Sequence, residues 1–172
     1  MIVVDVNVVA YCFIAGERTA QAREVLRRDP DWRLPALWRH EYLNVLATFV
    51  RQGGATIDEA RVVWRRTVEL VGAREHGVDM EAALALASEH RLSAYDAQYL
   101  VLARQLQTIC VTEDKRLLKT FPSLTSTMEV RRDLISDSTP HSFARPICRR
   151  EKGRNRHVGC SCQSASVGGS SV

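Results

Sequence analysis

At 172 residues, with 45% hydrophobic and 26% charged side chains, the chain suits a single soluble domain with a substantial core, and no second domain is implied. No apolar run approaches the roughly 18 residues of a membrane span, and the opening MIVVDVN lacks the basic and long apolar regions of a signal peptide, so a cytoplasmic protein is expected. The formal charge of +4 is unevenly placed, because from Arg131 onward there are eight Lys/Arg against three acids, leaving 16 bases and 17 acids in residues 1–130. The body is therefore near neutral, and any argument for a nucleic-acid partner must rest on local clusters rather than on the total.

Ile2-Val3-Val4-Asp5-Val6-Asn7 reads as a short strand buried on both faces, with its one charge where the strand should end. A carboxylate there needs a donor, a cation or a metal ion. Residues 8–15 are apolar enough for a short buried helix, and residues 17–28 form an amphipathic one stopped by Asp29-Pro30. A short extended piece at 32–35 precedes a helix over 36–51, which Gly53-Gly54 ends. Thr56 and Glu59 have capping-box spacing, and Ile57, Ala60, Trp64, Thr67, Val68 and Val71 make one stripe on the helix that follows. The connection between Gly72 and Gly77 has room for a small strand. Helices over 79–90 and 93–105 come next, then a β-rich run over 108–112 and a helical turn over 115–119. Short apolar strands alternating with helices predict an α/β sandwich with a mostly parallel sheet, whose ligands bind outside the carboxyl ends of the strands.

From about Asp133 the periodicity gives way to Ser, Gly, Arg and Pro, a composition expected to form a disordered basic tail over 133–172. Its Cys148, His157, Cys160 and Cys162 match no standard zinc-finger spacing. Cys12 and Cys110, in apolar surroundings, read as reduced buried thiols.

Four acids sit awkwardly. Glu41 lies between Leu37 and Val45 on its helix, on or beside the apolar stripe, with Asn44 one turn on; a Glu at the stripe's edge reaching Arg39 or Arg51 is the competing account. Asp96 follows Ser93 by three, as a helix cap would, but its helix is apolar nearly all round, so its first turn is expected to be buried. Asp114, after the strand ICVT, has a similar capping account that Thr112 could share. Together with Asp5, four acids at one sheet edge would repel one another without a cation between them. Hard oxygen ligands without His or clustered Cys select Mg²⁺ or Mn²⁺, and the chemistry this suits is phosphodiester hydrolysis, with a spare carboxylate to accept a water proton.

These residues resemble a known family. Val3-Val4-Asp5-Val6-Asn7-Val8, His40-Glu41-Tyr42-Leu43-Asn44-Val45-Leu46, Leu92-Ser93-Ala94-Tyr95-Asp96-Ala97-Gln98-Tyr99 and Val111-Thr112-Glu113-Asp114-Lys115-Arg116-Leu117 look like the successive acidic motifs of PIN-domain ribonucleases, most of all the VapC-type toxins of bacterial toxin–antitoxin pairs. The resemblance spans residues 1 to about 130. It implies a three-layer α/β/α domain over 1–132, Mg²⁺- or Mn²⁺-dependent endoribonuclease activity, a homodimer, and inhibition by a small cognate antitoxin. Asp5, Glu41, Asp96 and Asp114 match the family's acidic positions, with Asp5, Asp96 and Asp114 as metal ligands. Asn7 stands where the family often has Ser, Thr or Asn, and Asn44 and Thr112 are further polar supports.

Arg39, Lys115 and Arg116, beside motif acids, are candidate RNA phosphate contacts, although for each taken alone an ordinary solvated charge is the stronger account. Two other readings compete. Asp5-Val6-Asn7 also resembles the nucleophile strand of haloacid-dehalogenase phosphatases, but the second acid is Asn here and no later lysine motif is evident. A catalytically idle PIN-like module that binds RNA or protein would use Asp96 and Asp114 only as caps.

Overall fold

The computed structural model describes residues 1–129; the expected tail and its Cys/His residues lie outside them. Five short strands, β1 (Ile2–Val4), β2 (Trp32–Pro35), β3 (Glu75–His76), β4 (Cys110–Val111) and β5 (Thr125–Ser126), form one sheet in the order β3-β2-β1-β4-β5. Every neighbouring pair is parallel, with Val3 opposite both Arg33 and Cys110. The helices are α1 (Val6–Phe13), α2 (Thr19–Arg28), α3 (Trp38–Arg51), α4 (Ile57–Val71), α5 (Met80–His90), α6 (Ala94–Gln105) and α7 (Lys115–Thr120). α6 lies across β1, β2 and β4 with α5 packed on it, while α4 meets β2 and packs with α1 and α3. The result is the expected three-layer α/β/α sandwich.

Burial on both faces explains the sheet's composition. Ile2, Val3, Val4, Trp32, Leu34, Cys110 and Val111 are fully buried, which matches the near-continuous apolar runs of strands covered by helices on each side. β5 has no such run. It is two polar residues that complete the sheet through the backbone, as Cys110 N–H donates to the Leu124 carbonyl and Thr112 N–H to Ser126.

Two boundaries differ from expectation in ways that matter. The first helix begins at Val6, two residues early, because the Asp5 carboxylate accepts the Asn7 amide and caps it. Asp5 is thus the first residue of a helix turn rather than the last of a strand. The first turn of α6 is not buried: Tyr95 is 60% exposed and Asp96 partly so, and burial begins at Ala97. Among the described residues this turn stays open to solvent on the side of Tyr95.

The start of α3 is held by a polar and aromatic clamp. Trp38 Nε1–H donates to Glu75 Oε1 at 2.6 Å, Arg39 pairs with the same carboxylate, and the rings of Trp38, Tyr42 and Trp64 lie 6.0–6.2 Å apart. Buried Thr67 on α4 donates to the Tyr42 hydroxyl at 3.0 Å. This clamp sets the first turn of α3, and with it Glu41, against the sheet.

α4 opens with the expected capping box, Thr56 and Glu59 each bonding the other's backbone amide, although Ile57 at its first position is exposed. Thr56→Ala should lower stability by about 1 kcal/mol, read as a shift in the urea unfolding midpoint; an unchanged midpoint would mean that packing alone holds α4.

Candidate active site

The strand order places a switch point between β1 and β4, since the chain runs outward from β1 to β2 and β3 and then returns to the other side of β1. In an open parallel sheet the crevice beyond the strand ends at such a point is where ligands bind. Asp5 follows β1 directly, and its N–H donates to the Val111 carbonyl of β4 at 3.0 Å. Its carboxylate is 8% exposed, with Oδ1 accepting the Asn7 amide at 3.2 Å and Oδ2 accepting the Thr112 hydroxyl at 2.7 Å.

Glu41 sits in the first turn of α3, half-buried. Tyr99, buried on α6, donates its hydroxyl to Glu41 Oε2 at 2.7 Å. The competing account, an ion pair with Arg39 or Arg51, does not form: Arg39 is engaged by Glu75 and the Gly72 carbonyl, and Arg51 by the Thr48 hydroxyl. Tyr99 was legible only as part of an apolar stripe. A buried phenol needs a partner for its hydroxyl, and that requirement was the available signal.

Asp96 stands in the first turn of α6, where Ser93 Oγ accepts its amide at 3.0 Å and makes the cap. Its charge reaches the other two acids. Burial first, and the nearby Asp96 charge, push the Asp5 carboxyl above the usual carboxylate range against the opposing bonds from Thr112 and Asn7. Burial likewise raises Glu41, with Asp5 and Asp96 adding to the rise and Tyr99 opposing it. Tyr99 is itself held well above the usual phenol range by burial and by Glu41.

Asp114 is placed differently. It is exposed, and its Oδ1 accepts the Arg116 and Leu117 amides at 2.7 and 3.1 Å, capping α7. Its link to the other acids runs through Thr112, whose hydroxyl donates to Asp5 and accepts the Asp114 N–H at 3.1 Å. Asn7 and Asn44 are exposed beside Asp5 and one turn beyond Glu41. Of the candidate phosphate contacts, Arg39 is occupied as above, and Arg116 donates to the carbonyls of His90 and Arg91 at the end of α5. Lys115 is exposed at the start of α7.

Asp5, Glu41 and Asp96 therefore share one field, and among the described residues no Lys, Arg or His is paired with any of them. Uncompensated carboxylates of this kind fit a divalent cation, and the oxygen donors suit Mg²⁺ or Mn²⁺. Among the described residues no three acidic, His or Cys side chains are already gathered to enclose an ion.

A family model described as PIN domain matches residues 2–121. Ribonuclease VapC3 from Pyrobaculum aerophilum is 29% identical over 126 residues, covering 72% of this chain and 96% of that protein. The crystal structure of PAE2754, also from Pyrobaculum aerophilum, has a TM-score of 0.58 at 19% identity over 75% of this chain and 91% of that one, a likeness of fold.

Because Asp5 and Glu41 bind protons more tightly folded than unfolded, their ionisation destabilises the metal-free fold, and the loss grows as pH rises from the ordinary carboxylate range through the raised folded values. Asp5→Asn removes the Asp5 share. In EDTA its stability relative to wild type should rise between pH 4 and 8, measured by urea unfolding; a relative fall across that window would contradict the electrostatic account.

Proposed function

Since the chain belongs to the PIN-domain family, we propose that it is a metal-dependent endoribonuclease that hydrolyses RNA phosphodiester bonds, the toxin of a toxin–antitoxin pair. The observation that carries this reading is the set of carboxylates Asp5, Glu41 and Asp96, which share one field at the sheet's carboxyl edge without a cationic partner. The likeness to Ribonuclease VapC3 supports it over nearly that protein's whole length. The homodimer and the small antitoxin belong to the proposal, as does a cytoplasmic setting; among the described residues no helix is long and apolar enough to cross a membrane.

In this reading Asp5, Asp96 and Asp114 hold Mg²⁺ or Mn²⁺. When bound, the ion supplies Lewis-acid stabilisation of phosphate charge and lowers the pKa of a ligated water. The protein's own part is positioning and proton transfer. Thr112 and the Asn7 amide fix the Asp5 carboxylate, and Tyr99 fixes one oxygen of Glu41, leaving the other to take a proton from the attacking water. The raised proton affinity of Glu41 makes it a stronger base than an ordinary carboxylate. Water oxygen bonds to phosphorus as its proton goes to Glu41, the bond to the leaving ribose oxygen breaks, and that oxyanion takes a proton from solvent water. Lys115 is the remaining candidate phosphate contact, and the arginines beyond residue 130 add sequence-independent affinity.

Purified protein should cut single-stranded RNA in Mg²⁺ or Mn²⁺ and stop in EDTA. Asp5→Asn should abolish cutting while remaining folded, and Glu41→Gln should slow it by about 10²–10⁴. Cutting by Asp5→Asn at the wild-type rate would sink the proposal, and an aspartyl-phosphate formed from a phosphate donor would favour the phosphatase reading. Truncation after Asp133 should weaken RNA binding and flatten its salt dependence; an unchanged slope would exclude the tail from binding.

A further inference from the structure

A cavity of about 530 Å³ opens between α1, the α1–α2 connection and the second half of α3, within the roughly 300–1,000 Å³ of small-ligand sites. One end is bordered by Asn7, whose amide is bonded to Asp5, and by Asn44, one turn beyond Glu41. The cavity and the acids thus have Asn7 and Asn44 as neighbours in common. A group covalently attached to a phosphate at Asp5 and Glu41 would reach into the cavity.

The lining says what kind of group that is. Phe49 supplies an aromatic wall, and Gly54 backs it: a Cβ at Gly54 would come within 2.2 Å of the Phe49 ring. The ring is thus braced by bare backbone on that side. Asn7, Asn44, Thr48 and Gln52 contribute donors and acceptors of both kinds. The ionic content is small, one acid and one base at the outer rim: Glu17, and Arg18, which is paired with Glu113 at 2.6 Å and lies 5.5 Å over the Tyr11 ring. A phosphate would find no free cluster of cations here. A planar, uncharged group with several hydrogen-bonding edges fits, which is the description of a nucleobase.

We infer that this cavity is a base-recognition subsite that takes one unstacked nucleotide adjoining the scissile phosphate, stacked on Phe49 and read by the amides of Asn44 and Gln52. The inference rests on the nuclease reading and adds to it a source of cut-site preference. Such a site demands single-stranded RNA, because a paired base cannot turn out of its helix into the cavity without first unstacking.

The test uses the full chain. Asp5→Asn protein is titrated with fluorescently labelled 2′-O-methyl RNA tetranucleotides, one for each base, while active protein cuts a random-sequence single-stranded RNA whose ends are mapped. One base should bind best and dominate one position beside the cut. Adding Phe49→Ala should weaken that tetranucleotide about tenfold, and Gln52→Ala should level the four affinities and the mapped preference. Phe49→Leu, which keeps an apolar contact against Gly54 but no stack, should also lose affinity and serves if the alanine variant does not fold. Unchanged affinity and preference in Phe49→Leu and Gln52→Ala would overturn the inference while leaving the nuclease intact. Unchanged RNA behaviour with loss of binding to the antitoxin encoded beside it would assign the cavity to a protein partner, and likewise overturn it. If wild-type protein cuts no RNA and Asp5→Asn binds none of the tetranucleotides, the nuclease reading fails and the subsite with it.

Discussion

A carboxylate taken out of water with no cation beside it among the described residues is the constraint around which this molecule is built. Asp5 is tied by its backbone to β4 and by its side chain to the Asn7 amide and the Thr112 hydroxyl. Those bonds soften the burial but do not remove it, since the carboxyl still holds its proton more tightly than an ordinary one. Removing a charge from water is worth several kcal/mol unless it is well compensated. A fold optimised only for stability would have put an apolar residue at the end of its central strand.

What makes the arrangement tolerable is where the chain puts its helix starts. Asp5 caps α1, Asp114 caps α7, and Glu41 and Asp96 stand in the first turns of α3 and α6. Each acid faces the partial positive end of its own helix, a favourable placement for a negative group. For three of the four this follows from topology. Chain leaving the carboxyl end of a parallel strand must turn back, and where it turns back into a helix that helix begins at the edge the strand has just reached. Asp5, Glu41 and Asp114 are placed in this way by β1, β2 and β4, whereas Asp96 heads α6, which follows α5.

Much of this was legible in residue order. Runs such as Ile2-Val3-Val4 are readable because a strand covered on both faces has no polar face to interrupt it, and the alternation with helices leaves few arrangements for the sheet. The Thr56–Glu59 box was readable because a cap is a local bond. What escaped was non-local. β5 carries no apolar signal because Thr125 and Ser126 are recruited through the backbone. The exposure of Tyr95 depends on what packs against the first turn of α6, which periodicity within the helix does not encode. Tyr99's bond to a residue 58 positions away and the engagement of Arg39 and Arg116 depend on partners that only the folded chain supplies, whereas the Asp114 cap on α7, a local bond, was readable.

The Arg116 side chain reaches from α7 to the carbonyls of His90 and Arg91, at the turn from which α6 departs. Asp114, at the head of α7, and Asp96, at the head of α6, are thereby mounted on segments bolted together at a second point. The head of α7 and the turn before α6 are thus tied side chain to backbone across 25 residues of sequence, a link that neither helix makes through its own cap.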